Sequence, residues 1–254
     1  MSEFDFALAT SNRHKVEELA AIFADHWPDF DPQRVATNAD FPGPDPVEDA
    51  PTFAGNALIK ARSLAQRSGL ITVADDSGLC VDIMGGAPGI FSARWCGHHG
   101  DSAANLRLLL AQLNDVPATY RGARFACAAA LVIPGKLAGG VAAPGETRAG
   151  GIAVGGGGAA PGGTRPDNPA ATTESTVPGC EQEIVCEGEL VGSLLTAPVG
   201  DGGFGYDPIF VPTGYEVTTA QMSAAQKNAI SHRARAFTAL LPHLRAALQT
   251  GWQA

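Results

Sequence analysis

Apolar and polar positions follow two different periods along the chain, and the switching between them predicts an α/β protein. Phe4 to Ala9 is a short apolar run of strand length. From Lys15 to Ala24, Val16, Leu19, Ala20 and Phe23 recur at i, i+3, i+4 and i+7, one buried face of a helix. Thr52 is placed to cap a second helix that reaches about Arg67. Ala57, Ala61, Leu64 and Ala65 form its packed side, while Asn56, Lys60, Ser63 and Arg67 line another, and Gly69 ends it. Leu70 to Ala74 and Leu79 to Ile83 read as two further strands. Asp101 caps a third helix, on which Leu106, Leu109, Leu110 and Leu113 share a face. A last helix is expected from Ser223, with Gln226 completing a capping box. Its Ile230, Phe237, Leu241, Leu244 and Leu248 face a core, and Pro242 is expected to kink it. Helices interleaved with strands define the class. No internal repeat is visible.

The pattern fails between Pro134 and about Cys180, where most residues are Gly, Ala, Pro and Thr. Such a stretch buries too little apolar surface to offset its chain entropy and reads as a mobile loop. Lying between the apolar strands Phe125–Ile133 and Glu183–Cys186, residues 135–180 look like an insertion within a hairpin. Loop-closure entropy grows slowly enough to tolerate it. An active-site lid is the functional alternative.

Composition narrows the function. The 254 residues carry 26 acidic and 17 basic side chains, a formal charge of −9. That balance disfavours a nucleic-acid polymer as partner, since binding one relies on many Lys and Arg contacts. A small phosphorylated ligand in a local basic pocket remains compatible with it. No apolar run approaches the roughly 18 residues of a membrane span, and the N-terminus is acidic where a secretory signal is basic. The expectation is a cytoplasmic protein without a membrane partner. The five cysteines are odd in number and lack a C-x-x-C pair, against both a disulfide framework and a zinc site. His98 and His99 lack helical metal-ligand spacing and are expected on a surface loop.

Four segments carry candidate chemistry. The first, Thr10-Ser11-Asn12-Arg13-His14-Lys15, runs from a strand into a helix whose unpaired N–H groups can receive an anion. It lacks the glycines of a P-loop, and an ordinary helix cap is the alternative. The second, Asp75-Asp76-Ser77-Gly78, follows the strand ending at Ala74. Carboxylates there suit Mg²⁺, with Glu48 or Asp49 adding a ligand from the preceding loop; a solvated turn is the alternative. The third, Gly202-Gly203-Phe204-Gly205-Tyr206-Asp207, lets backbone approach a flat ligand that stacks on a ring, or is a tight surface turn. The fourth, Lys227 to Arg233 with His232, is a second cationic patch or a solvated basic face. Together they supply the parts needed to bind a nucleoside triphosphate with Mg²⁺.

These segments also resemble, in order and spacing, the inosine triphosphate pyrophosphatases. The likeness runs through Ala9-Thr10-Ser11-Asn12 with Lys15, Thr52-Phe53-Ala54-Gly55-Asn56-Ala57 and Lys60-Ala61-Arg62. It is dense from Ala74 to Leu79 and from Gly85 to Arg94, and returns at Gly202–Phe210 and Ala229–Arg233. The resemblance implies an elongated two-lobed mixed-sheet fold spanning residues 1–254, with a cleft between lobes, and a homodimer. It implies hydrolysis of ITP, dITP and XTP to the monophosphate and pyrophosphate. Asp76 would be the catalytic acid–base residue and, with Glu48, a Mg²⁺ ligand. Thr10, Ser11, Asn12, Arg13, His14 and Lys15 would contact the triphosphate, Ser77 the substrate, and Phe204, Gly205, Tyr206 and Asp207 the nucleotide, with Lys227, His232 and Arg233 completing the pocket. Ser11 and His14 stand where that family carries glycine. Two rivals remain at this stage: a related pyrophosphatase of the septum-inhibitor type acting on modified pyrimidine nucleotides, and a non-catalytic nucleotide sensor.

Overall fold

A mixed sheet of seven strands organises the described part of the chain. The structure, a computed structural model, describes residues 4–10, 13–135, 172–175 and 180–249. The strands are β1 (Phe6–Leu8), β2 (Val35–Thr37), β3 (Thr72–Val81), β4 (Gly122–Pro134), β5 (Thr172–Ser175), β6 (Cys180–Leu194) and β7 (Phe210–Pro212). Their order is β2-β1-β3-β4-β6-β5, with β7 also on β6. β1 lies parallel to β2 and β3, whereas β3, β4, β6, β5 and β7 pair antiparallel.

Among the described residues, five α-helices pack around the sheet: α1 (Arg13–His26), α2 (Phe53–Ser68), α3 (Ser102–Gln112), α4 (Ala224–Ile230) and α5 (His232–Gln249). Their ends follow local chemistry. Thr52 accepts the Gly55 N–H, Asp101 accepts the Ala104 N–H, and Ser223 with Gln226 forms a reciprocal box. Gly69 takes the left-handed conformation that closes α2.

Side-chain alternation along the strands feeds three cores. On one face, Phe6, Leu8, Val73, Leu131 and Ile184 meet Leu19 and Phe23 of α1 and Phe237 and Leu244 of α5. On the other, Ala7, Ala74, Ala128 and Ala130 meet Ala57, Ala61 and Leu64 of α2. Alanine on both sides of that second interface brings α2 close to the sheet. A third core, at the far end of β3, β4 and β6, gathers Leu79, Val81, Phe125 and Leu190 with Leu106 and Leu109 of α3 and Phe210. Burying each such Leu or Phe contributes about 1.5–3 kcal/mol.

Two expectations about elements need correction. The predicted strands Leu70–Ala74 and Leu79–Ile83 are one ten-residue strand, β3, so Asp75-Asp76-Ser77-Gly78 is strand interior and not a turn. Locally these residues favour a turn, but pairing with Cys127, Ala128 and Ala129 of β4 overrides that preference. The helix expected from Ser223 is two helices, broken at Ser231, whose hydroxyl accepts the Ala234 N–H at 3.0 Å and starts α5. Pro242 lies inside α5, which continues through it as one element. The stretch read as a mobile insertion falls mostly outside the described residues. Within it, β5 pairs with β6.

Candidate active site

β1 stops early, and that creates the site. Its last backbone contact to β3 is the Ala9 N–H on Val73 O, 2.8 Å. Further along, the same edge of β3 is taken up again where the Leu79 N–H meets Ser92 Oγ at 2.9 Å and Cys80 bridges to Pro88. Between those two points the edge of β3 from Asp75 to Gly78 borders a cleft of about 900 Å³. Ligands in open α/β sheets collect in such a place, beyond the carboxyl end of a parallel strand. Gly78 fits the construction because an added Cβ would lie 2.5 Å from both Gly89 O and Ser92 Oγ.

Neighbours on a strand point to opposite faces, so Asp75 and Asp76 have separate surroundings. Asp75 projects toward α1 and α5. Its carboxylate accepts from Lys15 Nζ at 3.0 and 3.2 Å and from Arg233 Nε at 3.2 Å, with only 2% of the side chain exposed. Burial alone would raise its pKa; the charges of Lys15, Arg233 and Lys60 outweigh burial and hold it well below the usual carboxylate range. Arg233 is fully engaged, since its remaining nitrogens donate to Glu18 and to Ser77 Oγ.

Asp76 projects toward α2. Asn56 Nδ2 donates to it at 3.3 Å and Lys60 Nζ at 3.0 Å, and the same Lys60 nitrogen reaches Glu48 Oε2 at 3.2 Å. Burial pushes the Asp76 pKa up, the Lys60 charge and hydrogen bond oppose this, and Glu48 adds to the rise; the net direction is upward. Asn56 is itself fixed by the Ala50 N–H on its Oδ1. The two carboxylates expected to hold a metal therefore converge on one ammonium.

The glycine-rich loop wraps a third carboxylate. Asp207 accepts the Phe204 N–H at 2.8 Å, Thr219 Oγ1 at 2.8 Å and Lys227 Nζ at 2.6 Å. Gly203, at φ 70°, sits where a Cβ would lie 2.2 Å from Asp207 Oδ2. Lys227 also stands 4.7 Å above the half-exposed Phe204 ring, so the ring and the ammonium form one surface. Tyr206 is buried and donates its hydroxyl to Ser92 O. It supports the loop from beneath.

The cleft thus brings together Thr10, Lys15, Glu48, Asp76, Ser77, Phe204, Gly205, Tyr206, Asp207, Lys227, His232 and Arg233. Ser11 and Asn12 lie outside the described residues. Arg13 and His14 open α1, described as backbone only. Cys96 Sγ lies 3.8 Å from His98 Nε2 near the rim, and no group of three or more His, Cys, Asp and Glu suited to a metal occurs among the described residues. His98 and His99 are exposed. Among those residues Cys80, Cys96 and Cys127 are free thiols.

Sequence reading gave Lys60, Asn56 and Glu18 no part in the site, and named Asp75 in the carboxylate segment without its cationic partners. For the first two a signal existed: Asn56 and Lys60 are four apart on the polar stripe of α2, the side that meets Asp76. Glu18, one turn after Lys15, gave none, because its partner Arg233 lies 215 residues away.

Fold and site together define an α/β protein with a cleft that holds acidic and basic groups against each other, suited to a phosphorylated ligand. The chain belongs to the Ham1 family, whose model matches residues 6–153 and 163–243. It is 47% identical over 238 residues to a dITP/XTP pyrophosphatase of Streptomyces coelicolor, covering 94% of this chain and 96% of that one. It is 45% identical to a dITP/XTP pyrophosphatase of Leifsonia xyli subsp. xyli, covering 96% and 97%. Among solved structures, a nucleoside-triphosphatase / dITP/XTP pyrophosphatase of Mycobacterium abscessus matches with TM-score 0.62 at 38% identity over 93% and 98% of the two chains. A HAM1 protein of Coxiella burnetii matches with TM-score 0.70 at 28% identity over 95% and 98%.

Proposed function

We propose that this protein hydrolyses non-standard purine nucleoside triphosphates, dITP, XTP and ITP, to the nucleoside monophosphate and pyrophosphate. The observation that carries the reading is the pairing of Asp76, its pKa raised, with Lys60 and Glu48, one residue along the strand from the clamp of Lys15 and Arg233 on Asp75. Curated relatives over nearly the whole chain support the substrate class.

Asp76 accepts the proton of the attacking water, a role suited to a carboxylate whose pKa is raised above its ordinary value. Asn56, held by Ala50, fixes the carboxylate's orientation. Lys15 and the start of α1 receive the charge that develops on the departing pyrophosphate. Lys227, fixed in advance by Asp207 and Phe204, presents a donor at the loop end of the cleft. A fixed donor favours the 6-carbonyl of hypoxanthine or xanthine and opposes the 6-amino group of adenine. A donor left facing another donor disfavours adenine, by as much as about 10⁴-fold where the polar groups are fully buried.

Mg²⁺ fits the donor set. Glu48 and Asp76 lie close enough to share one ammonium, and two carboxylates completed by phosphate oxygens and water make a usual magnesium environment. When bound, the ion neutralises phosphate oxygens and polarises water. We further propose a homodimer working in the cytoplasm; the exposed Ile83 and Phe91 beside the 85–89 loop offer apolar surface for a second copy.

The test is pyrophosphate release, measured against orthophosphate, over dITP, XTP, ITP, the standard nucleotides and modified pyrimidine nucleotides, with and without Mg²⁺. Asp76→Asn should bind dITP and lose nearly all turnover. Preference for modified pyrimidines would favour the septum-inhibitor type, and binding without release of either product a sensor.

A further inference from the structure

His232 is an unusual component of the cleft. It opens α5, is 7% exposed, and lines the cavity beside Arg233 and Lys227. Its Nδ1 is buried with no hydrogen-bond partner, and no hydrogen bond to the ring is made among the described residues. A buried imidazole normally has its orientation set by a bond from one nitrogen. Here the ring instead lies flat against Phe125 of β4, with centroids 5.1 Å apart and planes 15° apart. Phe125 is in turn held by Phe210 of β7, 4.6 Å away and tilted by 52°.

We infer that Phe125 is a positioning residue, which fixes the His232 imidazole in the cleft by stacking and leaves its nitrogens uncommitted for the ligand. The geometry has the parts this needs. Phe125 is 9% exposed, so it has little surface of its own to offer a substrate. It sits on a long central strand, paired with Leu79 on one side and Leu190 on the other, which keeps the platform rigid. A flat apolar face fixes a ring's plane without occupying either nitrogen, which a hydrogen-bonding partner would not allow. The inference rests on the proposed nucleotide reaction, with His232 on the nucleoside side of the site and Lys15 on the phosphate side.

The experiment compares the wild type, Phe125→Leu and Phe125→Tyr, in the wild-type and His232→Ala backgrounds. Leu retains apolar bulk without a flat face, and Tyr retains the face. Stacking of this kind predicts a KM for dITP raised about two- to tenfold in Phe125→Leu, with kcat nearly unchanged and recovery in Phe125→Tyr. Competitive inhibition by tripolyphosphate, which has no nucleoside, should be unaltered. In the His232→Ala background, Phe125→Leu should have no further effect on KM. In wild-type NMR spectra the His232 ring protons should be shifted upfield by the Phe125 ring current, and the shift should vanish in Phe125→Leu. If Phe125→Leu does not fold, Phe125→Met takes the same measurements. Unchanged KM, equal losses for dITP and tripolyphosphate, or additive effects with His232→Ala would each overturn the inference. Absence of dITP hydrolysis in the wild type would instead refute the proposed function.

Discussion

Replacing Asp75 by Asn tests the central electrostatic argument. The substitution preserves shape and one acceptor oxygen but removes the charge that Lys15 and Arg233 both engage in the buried network. Removing one member of a buried ion pair costs about 3–5 kcal/mol, because the partner's desolvation is no longer compensated. Two features of the site favour the lower end. Lys15 is 19% exposed and can recover some hydration, and Arg233 keeps its ion pair with Glu18. A loss of about 3 kcal/mol in a domain of this size lowers Tm by roughly 6–12 °C. Thermal unfolding followed by circular dichroism, with urea midpoints as a check, reads this directly. The kinetic consequence is separate: two cations lose their shared anchor, so KM for dITP should rise at least about tenfold, the equivalent of 1.4 kcal/mol. An Asp75→Asn protein that melts within about 2 °C of the wild type and keeps its KM would mean that the carboxylate does not clamp these cations.

Three further outcomes follow from other contacts. Gly78→Ala forces a methyl group to 2.5 Å from Gly89 O and Ser92 Oγ and should lower stability by about 2–3 kcal/mol in urea titrations. His232 is held neutral because burial, then the charges of Arg233 and Lys227, push its pKa well below 6.5. The unfolded chain therefore takes up the extra proton first. Stability from this group is present above the unfolded-state pKa near 6.5 and is lost as the pH falls below it. His232→Gln should remove that part of the pH slope; an identical slope in the variant would contradict it. Lys15→Ala should weaken triphosphate binding more than monophosphate binding in calorimetric titrations, and equal losses would discredit its phosphate role.

Much of the secondary structure was legible because it is decided locally. Thr52, Asp101 and Ser223 cap helices through their own hydroxyl or carboxylate, and Gly69 ends α2 through its own backbone. Where tertiary contacts decide, local reading failed. Asp-Asp-Ser-Gly looks like a turn, yet each acid meets a cation from a distant segment: Lys15 is 60 residues from Asp75, and Arg233 is 158. Ser231 reads as tolerable within a helix until its hydroxyl is seen capping the next one. The residues that line the cleft were named mostly segment by segment. Their division between the two faces of β3 was not, because it depends on knowing that residues 75–78 are strand.

That division explains how two adjacent acids can do different work. Were both carboxylates on one face, each would raise the other's pKa, and one would remain protonated. The alternation of β3 turns them to opposite sides and gives each its own hydrogen-bonded cations. Asp75, between Lys15 and Arg233, stays ionised and acts as a fixed counter-charge. Asp76 bonds to Lys60, which it shares with Glu48, and burial displaces its pKa upward. Pairs of titratable groups whose surroundings drive them apart are how one site supplies both a permanent charge and a proton acceptor. The early end of β1 is what makes this arrangement usable, because the cleft bordering that open edge is lined by both carboxylates. Extending β1 past Ala9 would pair that edge and close the cleft, so the brevity of a three-residue strand is what leaves the cleft open.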